Sequence, residues 1–526
     1  MSITKDDIIN GLRSLGLASG DCVMVHSSLS SLGHVEGGAE TVIEALLETV
    51  GDQGTVLMPA MSGDQPFRLD ESPSGVGYIT EVFRTRDDTT RSLHPTHSVS
   101  GRGPLVEELI EGHIDQPTAL GPESPWGRLA RRDDSYILLL GVDQDRNTLL
   151  HCAEEVVDAP YLNTIQRDYI DSEGKLQTKT LRKFPGPHRD FIGLDPLFEA
   201  SGGMAVGTIG NAVCRLTPAK EMLQIATDAL KADMAAVLCD NPRCRDCVQQ
   251  RADIKRDELS REPFTPVARL DDVGFGPHDV DRAIWHIRAQ GLSAVEIGPW
   301  ILHVLRGDIA PSYLHNELMA EGMDVRVCHA PLPLTPQATN GDIQRAFDDI
   351  VAALSPLSPE YLKLPGYPLQ AVDGGVFSHA LELASSAASR ANEHDLKLLI
   401  ENEPGTICYS HADCDRFLEE LGKPDTVYFS FNPAYFARAG EKPFLQTFRR
   451  SDFKRRMVEL MITDGCAEPW PEYTLPGRGQ GELKELMSIL RCRSFDGLFT
   501  IAPMTPQTPE RFDAYAEGFW KLLHTC

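Results

Sequence analysis

The apolar residues of this chain occur as short continuous runs separated by longer stretches in which they recur every three or four positions. The clearest run is Ile-Leu-Leu-Leu at 137–140, closed by Gly141. It predicts a buried parallel strand. A polar turn follows at 143–147, and the spacing from 148 to 158 predicts a helix with Asn147 or Thr148 as its N-cap. Runs at 21–26 and 54–59 predict two more strands. Between them lie a serine-rich loop ending at Gly33, the Gly37-Gly38 pair and a helix from 39 to 50. Amphipathic periodicity predicts helices at 4–18 and 217–238. Strand, small-residue loop, helix, strand is the pattern of an α/β domain with a parallel sheet, whose ligands bind at the loops after the strands.

Residues 249–263 are highly charged and carry few apolar groups, so the domain boundary is placed here, giving 1–262 and 263–526. A chain of 526 residues is in any case too long for one core. From 267 onward strand-like and helix-like segments alternate. Strands are predicted at 267–270, 294–297, 325–329, 361–364, 396–400, 427–431, 458–463 and 497–501. Eight strands with intervening helices match a (β/α)8 TIM barrel, with its site at the C-terminal strand ends.

Composition narrows the function. With 41% hydrophobic and 24% charged residues the chain reads as globular. Its formal net charge of -27 argues against nucleic acid as a partner and suits a small cationic amine. The N-terminal stretch lacks an apolar core of signal-peptide length, and no apolar run approaches the roughly 18 residues of a membrane span. Twelve cysteines are scattered through the chain, which is no disulfide framework. A cytoplasmic protein is expected.

The chemistry-bearing residues cluster around the run at 137–140. On a helix His151 and Glu154, three apart, share a face. A carboxylate that fixes a histidine ring and stabilises its charged form makes a general base, although the same spacing describes an ordinary helix-surface ion pair. His94 and His97 could suggest a metal, but Pro95 spoils a helical pair and no further ligand lies close in sequence; no metal is assigned there. Cys239, Cys244 and Cys247 could grip a structural zinc as thiolates. The sequence offers no fourth ligand nearby, so the expected reading is a helix end packing small cysteines.

Taken in order, His26-Ser27-Ser28-Leu29, Gly37-Gly38-Ala39-Glu40, Gly54-Thr55 with Met58-Pro59, Arg91-Ser92-Leu93-His94-Pro95-Thr96-His97-Ser98, Ser124-Pro125-Trp126-Gly127 and Asn147-Thr148-Leu149-Leu150-His151-x-x-Glu154 resemble the aminoglycoside 3-N-acetyltransferase family over roughly residues 1–260. The resemblance implies acetyl transfer from acetyl-CoA to an amine of an aminoglycoside or amino sugar, in antibiotic resistance or in biosynthesis. It implies that His26, Ser27, Ser28, Leu29 and Ser30, with His97, Ser98 and Val99, contact the cofactor. It also implies that His151 is the base, Glu154 its partner and Thr148 a neighbour of the thioester. A homodimer is compatible with it.

In the second half, the segments around Glu401, Asn432, Asp464 and Gly479 resemble xylose-isomerase-like sugar isomerase and epimerase barrels, which hold a divalent metal between two Glu, an Asp and a His. Glu401 matches the first Glu, but the other positions carry Asn432, Met461 and Ala502. Met and Ala offer a hard cation nothing. The expectation is a degenerate metal site, in a barrel that binds sugar or serves as a scaffold. Glu401, Glu403, Asp464 and His329 could still form a polar site, and an active isomerase or epimerase with a rearranged site is the alternative.

Overall fold

A computed structural model describes residues 2–184, 188–369, 374–422, 425–466, 472–503 and 508–525. The chain forms two compact units, Met1–Ile254 and Lys255–Cys526. No helix among the described residues is long and apolar enough to cross a membrane.

The first unit is built on strands β1 (Cys22–Ser27), β2 (Thr55–Pro59), β3 (Thr90–Arg91), β4 (Val99–Arg102) and β5 (Ser135–Leu140). The hairpin β6 (Asn163–Ile170) and β7 (Leu176–Phe184) stands apart, and β8 (Ala205–Ile209) and β9 (Ala212–Pro218) complete the set. The sheet order is β3-β4-β2-β1-β5-β9-β8. At its centre β1 runs parallel to β2 and β5, with His26 opposite Leu139 and Ser27 opposite Leu140; β4 and β9 are antiparallel to their neighbours.

Successive strand side chains point to opposite faces, so a continuous apolar run feeds two cores at once. On one face Val23, Val25, Val56, Leu138 and Leu140 pack with Ile8, Leu12, Val42 and Leu46, from the helices Lys5–Leu15 and Gly38–Val50. On the other, Met24, Leu57, Ile137 and Leu139 pack with Leu149, Leu150, Cys152, Met222 and Ala226, from the helices Leu149–Val156 and Ala219–Ala232. The first helix starts on a Thr4–Asp7 capping box and stops at Gly16 in the left-handed conformation.

The helix expected over 217–238 is shorter. Pro218 still belongs to β9, and the helix stops at Ala232 because Asp233 turns extended. The charged stretch at 249–263, where the boundary is placed, is largely helical, within Arg245–Leu259. The β6–β7 hairpin lies in a region for which the pattern predicts no strand: β6 is half-buried to exposed throughout, so no apolar alternation marks it.

The second unit is a closed, all-parallel eight-stranded barrel. Its strands are β10 (Thr265–Arg269), β11 (Ala294–Ile297), β12 (Asp324–His329), β13 (Tyr361–Lys363), β14 (Lys397–Glu401), β15 (Val427–Phe431), β16 (Met457–Ile462) and, after the short hairpin β17 (Asp464–Cys466) and β18 (Glu472–Thr474), β19 (Leu498–Ile501). These lie within a residue or two of the predicted strands. Val267, Ala294, Val327, Tyr361, Leu399 and Leu498 form one small apolar cluster. Two residues further along their strands, on the same face, stand Arg269, Glu296, His329, Lys363, Glu401 and Thr500, so the lining changes from apolar to charged toward the C-terminal strand ends.

Candidate active site

The ends of β1 and β5 and the turns that follow them surround a cavity of about 860 Å³. Gly141 ends β5 at φ 73°, and a Cβ there would sit 2.8 Å from Ser31 Cβ, so only glycine turns the chain at this point. The helix Leu149–Val156 follows, and Asn147 fixes its start. Its Oδ1 accepts from the Leu149 N–H at 3.2 Å, while its Nδ2 donates to Gln144 Oε1 at 2.9 Å. Thr148 makes no capping bond, and its side chain lines the cavity.

His151 also lines the cavity, with its side chain 20% exposed, and Phe191 packs edge-on at 4.8 Å. Its Nδ1 lies 2.6 Å from Oε2 of Glu154, which is fully buried behind it. Oε1 of Glu154 accepts from the guanidinium Nε of Arg189, whose Nη1 donates to the His188 carbonyl at 2.6 Å and whose face covers the Tyr161 ring at 4.9 Å. Burial pushes the Glu154 carboxyl upward. The hydrogen bond and charge of His151 with the charge of Arg189 outweigh that and hold it below the usual carboxylate range. The result is a buried carboxylate clamped between a cation and an imidazole, with Nε2 of His151 as the ring nitrogen that Glu154 does not hold.

Of the residues expected to contact a cofactor, His26, Ser27, Ser28, Leu29, Ser30 and His97 line this cavity. Ser28 and Ser30 hydroxyls lie 3.2 Å apart, and Ser31 Oγ donates to Ser28 Oγ at 2.8 Å. Ser98 and Val99 are fully buried and not among the lining residues: Ser98 Oγ donates to the Ala60 carbonyl at 2.5 Å, and Val99 is a core position of β4. Sequence reasoning missed Arg189, Tyr161 and Phe191. Arg189 lies 35 residues beyond Glu154 with no spacing rule to connect them.

His94 and His97 are parts of a packed histidine group. His94 Nδ1 accepts from the His97 N–H at 3.0 Å, its ring stacks on His113 at 4.3 Å, and Trp126 lies edge-on to His97 and His113. Burial holds His26 and His97 at about 3, His113 at about 4 and His94 well below its ordinary value. All four are neutral in the folded state, while the unfolded chain protonates them below about pH 6.5. The unfolded state then binds more protons, so stability is complete above that pH and falls as pH drops toward 4. Each ring contributes a slope of about 1.4 kcal/mol per pH unit in that window. Thermal unfolding of the first unit is therefore expected to move to markedly lower temperature between about pH 7 and pH 5; an unchanged midpoint would contradict the buried neutral histidines.

In the barrel, Lys363 Nζ lies 3.1 Å from Glu296 Oε1, 3.2 Å from Glu401 Oε2 and 2.8 Å from Glu459 Oε2, with Met461 Sδ at 3.5 Å. Burial alone lowers the ammonium's affinity for its proton, but these three carboxylates reverse the effect and raise it. Arg269 and His329 also hold Glu296, the latter at 2.7 Å, and Asn432 Nδ2 donates to Glu401 Oε1 at 2.8 Å. Of the four residues expected to share a polar site, His329 and Glu401 join this network. Asp464 instead ties down backbone, its carboxylate accepting the N–H groups of Gly465, Gly479 and Gly481, each at 2.9 Å. Burial and the neighbouring charge of Glu401 raise the Glu403 carboxyl.

An α/β unit whose cavity carries a carboxylate-held histidine at a helix start is suited to acyl transfer. Residues 24–231 match the aminoglycoside 3-N-acetyltransferase family. The SPbeta prophage-derived aminoglycoside N(3')-acetyltransferase-like protein YokD of Bacillus subtilis (strain 168) is 36% identical over 250 residues, which are 42% of this chain and 90% of that protein. Aminoglycoside N(3)-acetyltransferase III of Salmonella sp is 34% identical over 238 residues, 40% of this chain and 81% of that enzyme. The crystal structure of aminoglycoside acetyltransferase AAC(3)-IVa, apoenzyme, is similar at 30% identity and a TM-score of 0.44, covering 48% of this chain and 97% of that one. The chain belongs to the aminoglycoside 3-N-acetyltransferase family, and it is an N-acetyltransferase.

Proposed function

We propose that the first unit moves an acetyl group from acetyl-CoA to an amine of an aminoglycoside or a related amino sugar, with His151 as general base. The observation that carries this reading is the 2.6 Å pair of His151 Nδ1 and Glu154 Oε2, set in the wall of the cavity with Nε2 left for substrate. The donor suits the stretch 26–30 of the same cavity. His26 Nε2 and Ser27 Oγ are buried there without a hydrogen-bond partner among the described residues, next to the hydroxyls of Ser28 and Ser30, and a polar ligand along 26–30 would satisfy them. When bound, acetyl-CoA supplies an activated carbonyl.

The chain's own residues meet the remaining demand. An amine is mostly protonated at neutral pH and must lose a proton to become a nucleophile. His151 takes that proton at Nε2, Glu154 stabilises the imidazolium through Nδ1–H, and Arg189 keeps Glu154 ionised. Thr148, three residues before the base, offers a hydroxyl to the reacting carbonyl. Cys152 neighbours the base but packs in the core, and burial pushes its thiol up to about 12; direct attack by the amine is favoured over an acetyl-cysteine. The net charge of -27 favours a polycationic acceptor.

Thiol release from acetyl-CoA, followed with a panel of aminoglycosides and simple amino sugars and a no-acceptor control, is expected to depend on one class of acceptor. Donor binding without release from any panel member would refute the acceptor class, and failure to bind acetyl-CoA would refute the donor.

For the barrel we infer a xylose-isomerase-like TIM barrel that has lost its divalent-metal chemistry and serves as a sugar-binding or scaffold module. The Lys363 ammonium supplies among Glu296, Glu401 and Glu459 the positive charge that a cation would bring, and Met461 and Ala502 add no oxygen ligand.

A further inference from the structure

The three cysteines near the end of the first unit gain a fourth neighbour in the fold. Nδ1 of His188 lies 3.2 Å from Cys247 Sγ and 3.5 Å from Cys244 Sγ, and the ligand atoms of His188, Cys239, Cys244 and Cys247 all lie within 4.8 Å of one another. Tetrahedral zinc with bonds of about 2.3 Å to sulfur and 2.0–2.1 Å to nitrogen sets its ligand atoms roughly 3.5–3.8 Å apart, and three thiolates with one imidazole are a closed structural set. All four residues belong to the same compact unit.

The local chain is built to hold this spacing. The Cys244 N–H donates to the Asn241 carbonyl at 3.0 Å, making a tight turn between the first two cysteines. Cys247 then falls in the first turn of the helix Arg245–Leu259 and is fully buried. From that helix Arg251 reaches back to the Leu238 and Cys239 carbonyls. His188 arrives from 51 residues before Cys239, carried by a segment that is itself tied down where the Asp190 N–H meets the Val237 carbonyl at 2.9 Å.

We propose that His188, Cys239, Cys244 and Cys247 bind a structural zinc ion. Its place in the fold gives it a consequence for the active site. The carbonyl of His188 accepts from Arg189, the guanidinium that clamps Glu154. Zinc anchors the backbone that carries Arg189 and so positions the carboxylate behind His151. This second part rests on the proposed role of His151; the metal site itself does not.

The test is metal analysis of the full chain, expressed with zinc in the medium and dialysed against metal-free buffer, beside His188→Ala and Cys244→Ser. About one zinc per chain is expected in the parent, and a small fraction of that in either variant, since a closed site needs all four ligands. Replacing zinc with cobalt is expected to give the visible bands of a tetrahedral thiolate site. A parent chain with reduced thiols that carries no stoichiometric zinc and gives no such bands would overturn the proposal. Full zinc in His188→Ala would overturn the four-ligand assignment. Zinc removal is further expected to lower kcat while leaving acetyl-CoA binding unchanged; unchanged kcat would overturn the link to Arg189 and leave the metal content as read. Because zinc is counted without any assay of turnover, failure of the acetyl-transfer reading and failure of the zinc site are separately visible.

Discussion

His151→Ala is expected to lower turnover at least about 10²-fold while acetyl-CoA binding stays close to that of the parent, the signature of a lost general base. The structure makes this variant a clean probe. His151 sits at the cavity wall, so its removal opens space into solvent. Glu154 keeps its second partner Arg189, so no buried charge is stranded. Glu154→Gln is a different experiment: it leaves the buried Arg189 guanidinium against a neutral amide, and breaking such a pair costs roughly 3–5 kcal/mol. A loss of activity there mixes mechanism with stability. Steady-state kinetics of His151→Ala with a competent acceptor decide the matter, and near-normal kcat would remove His151 from the mechanism.

Lys363→Ala is expected to destabilise the barrel by about 3–5 kcal/mol, because three carboxylates would lose the cation they share. Glu296 retains Arg269 and His329, whereas the other two are poorly compensated: Glu459 keeps the Thr500 hydroxyl at 2.5 Å and Glu401 the Asn432 amide. Burial already raises the Glu459 carboxyl with Lys363 in place. Calorimetry of the full chain should show the transition of residues 255–526 moved down and that of residues 1–254 unmoved. If the barrel transition does not move, the ammonium is not holding the network together. If added Mg²⁺ or Mn²⁺ restores the variant and not the parent, the lysine stands where a divalent cation would otherwise be held.

Local periodicity is enough for much of the scaffold. The run at 137–140 is a strand because four successive apolar residues can be buried on both faces of a sheet, and the barrel strands follow from similar runs spaced by helical segments. The His151–Glu154 pair is legible as well, since an i, i+3 spacing is a contact within one helix. Where local polarity is ambiguous the pattern falls silent: the half-exposed strand β6 carries no alternation, and the helix from Ala219 stops at Ala232 although its periodicity continues.

The partners of the chemical groups are a tertiary matter. Arg189 meets Glu154 across 35 residues, His188 meets the three cysteines across more than 50, and Lys363 is joined to Glu296, Glu401 and Glu459 by closure of the barrel. A sequence encodes what each residue prefers and which neighbours share its helix or strand face. Which distant side chain completes a ligand set or neutralises a buried charge is set by how the elements pack, and it leaves no spacing along the chain to read.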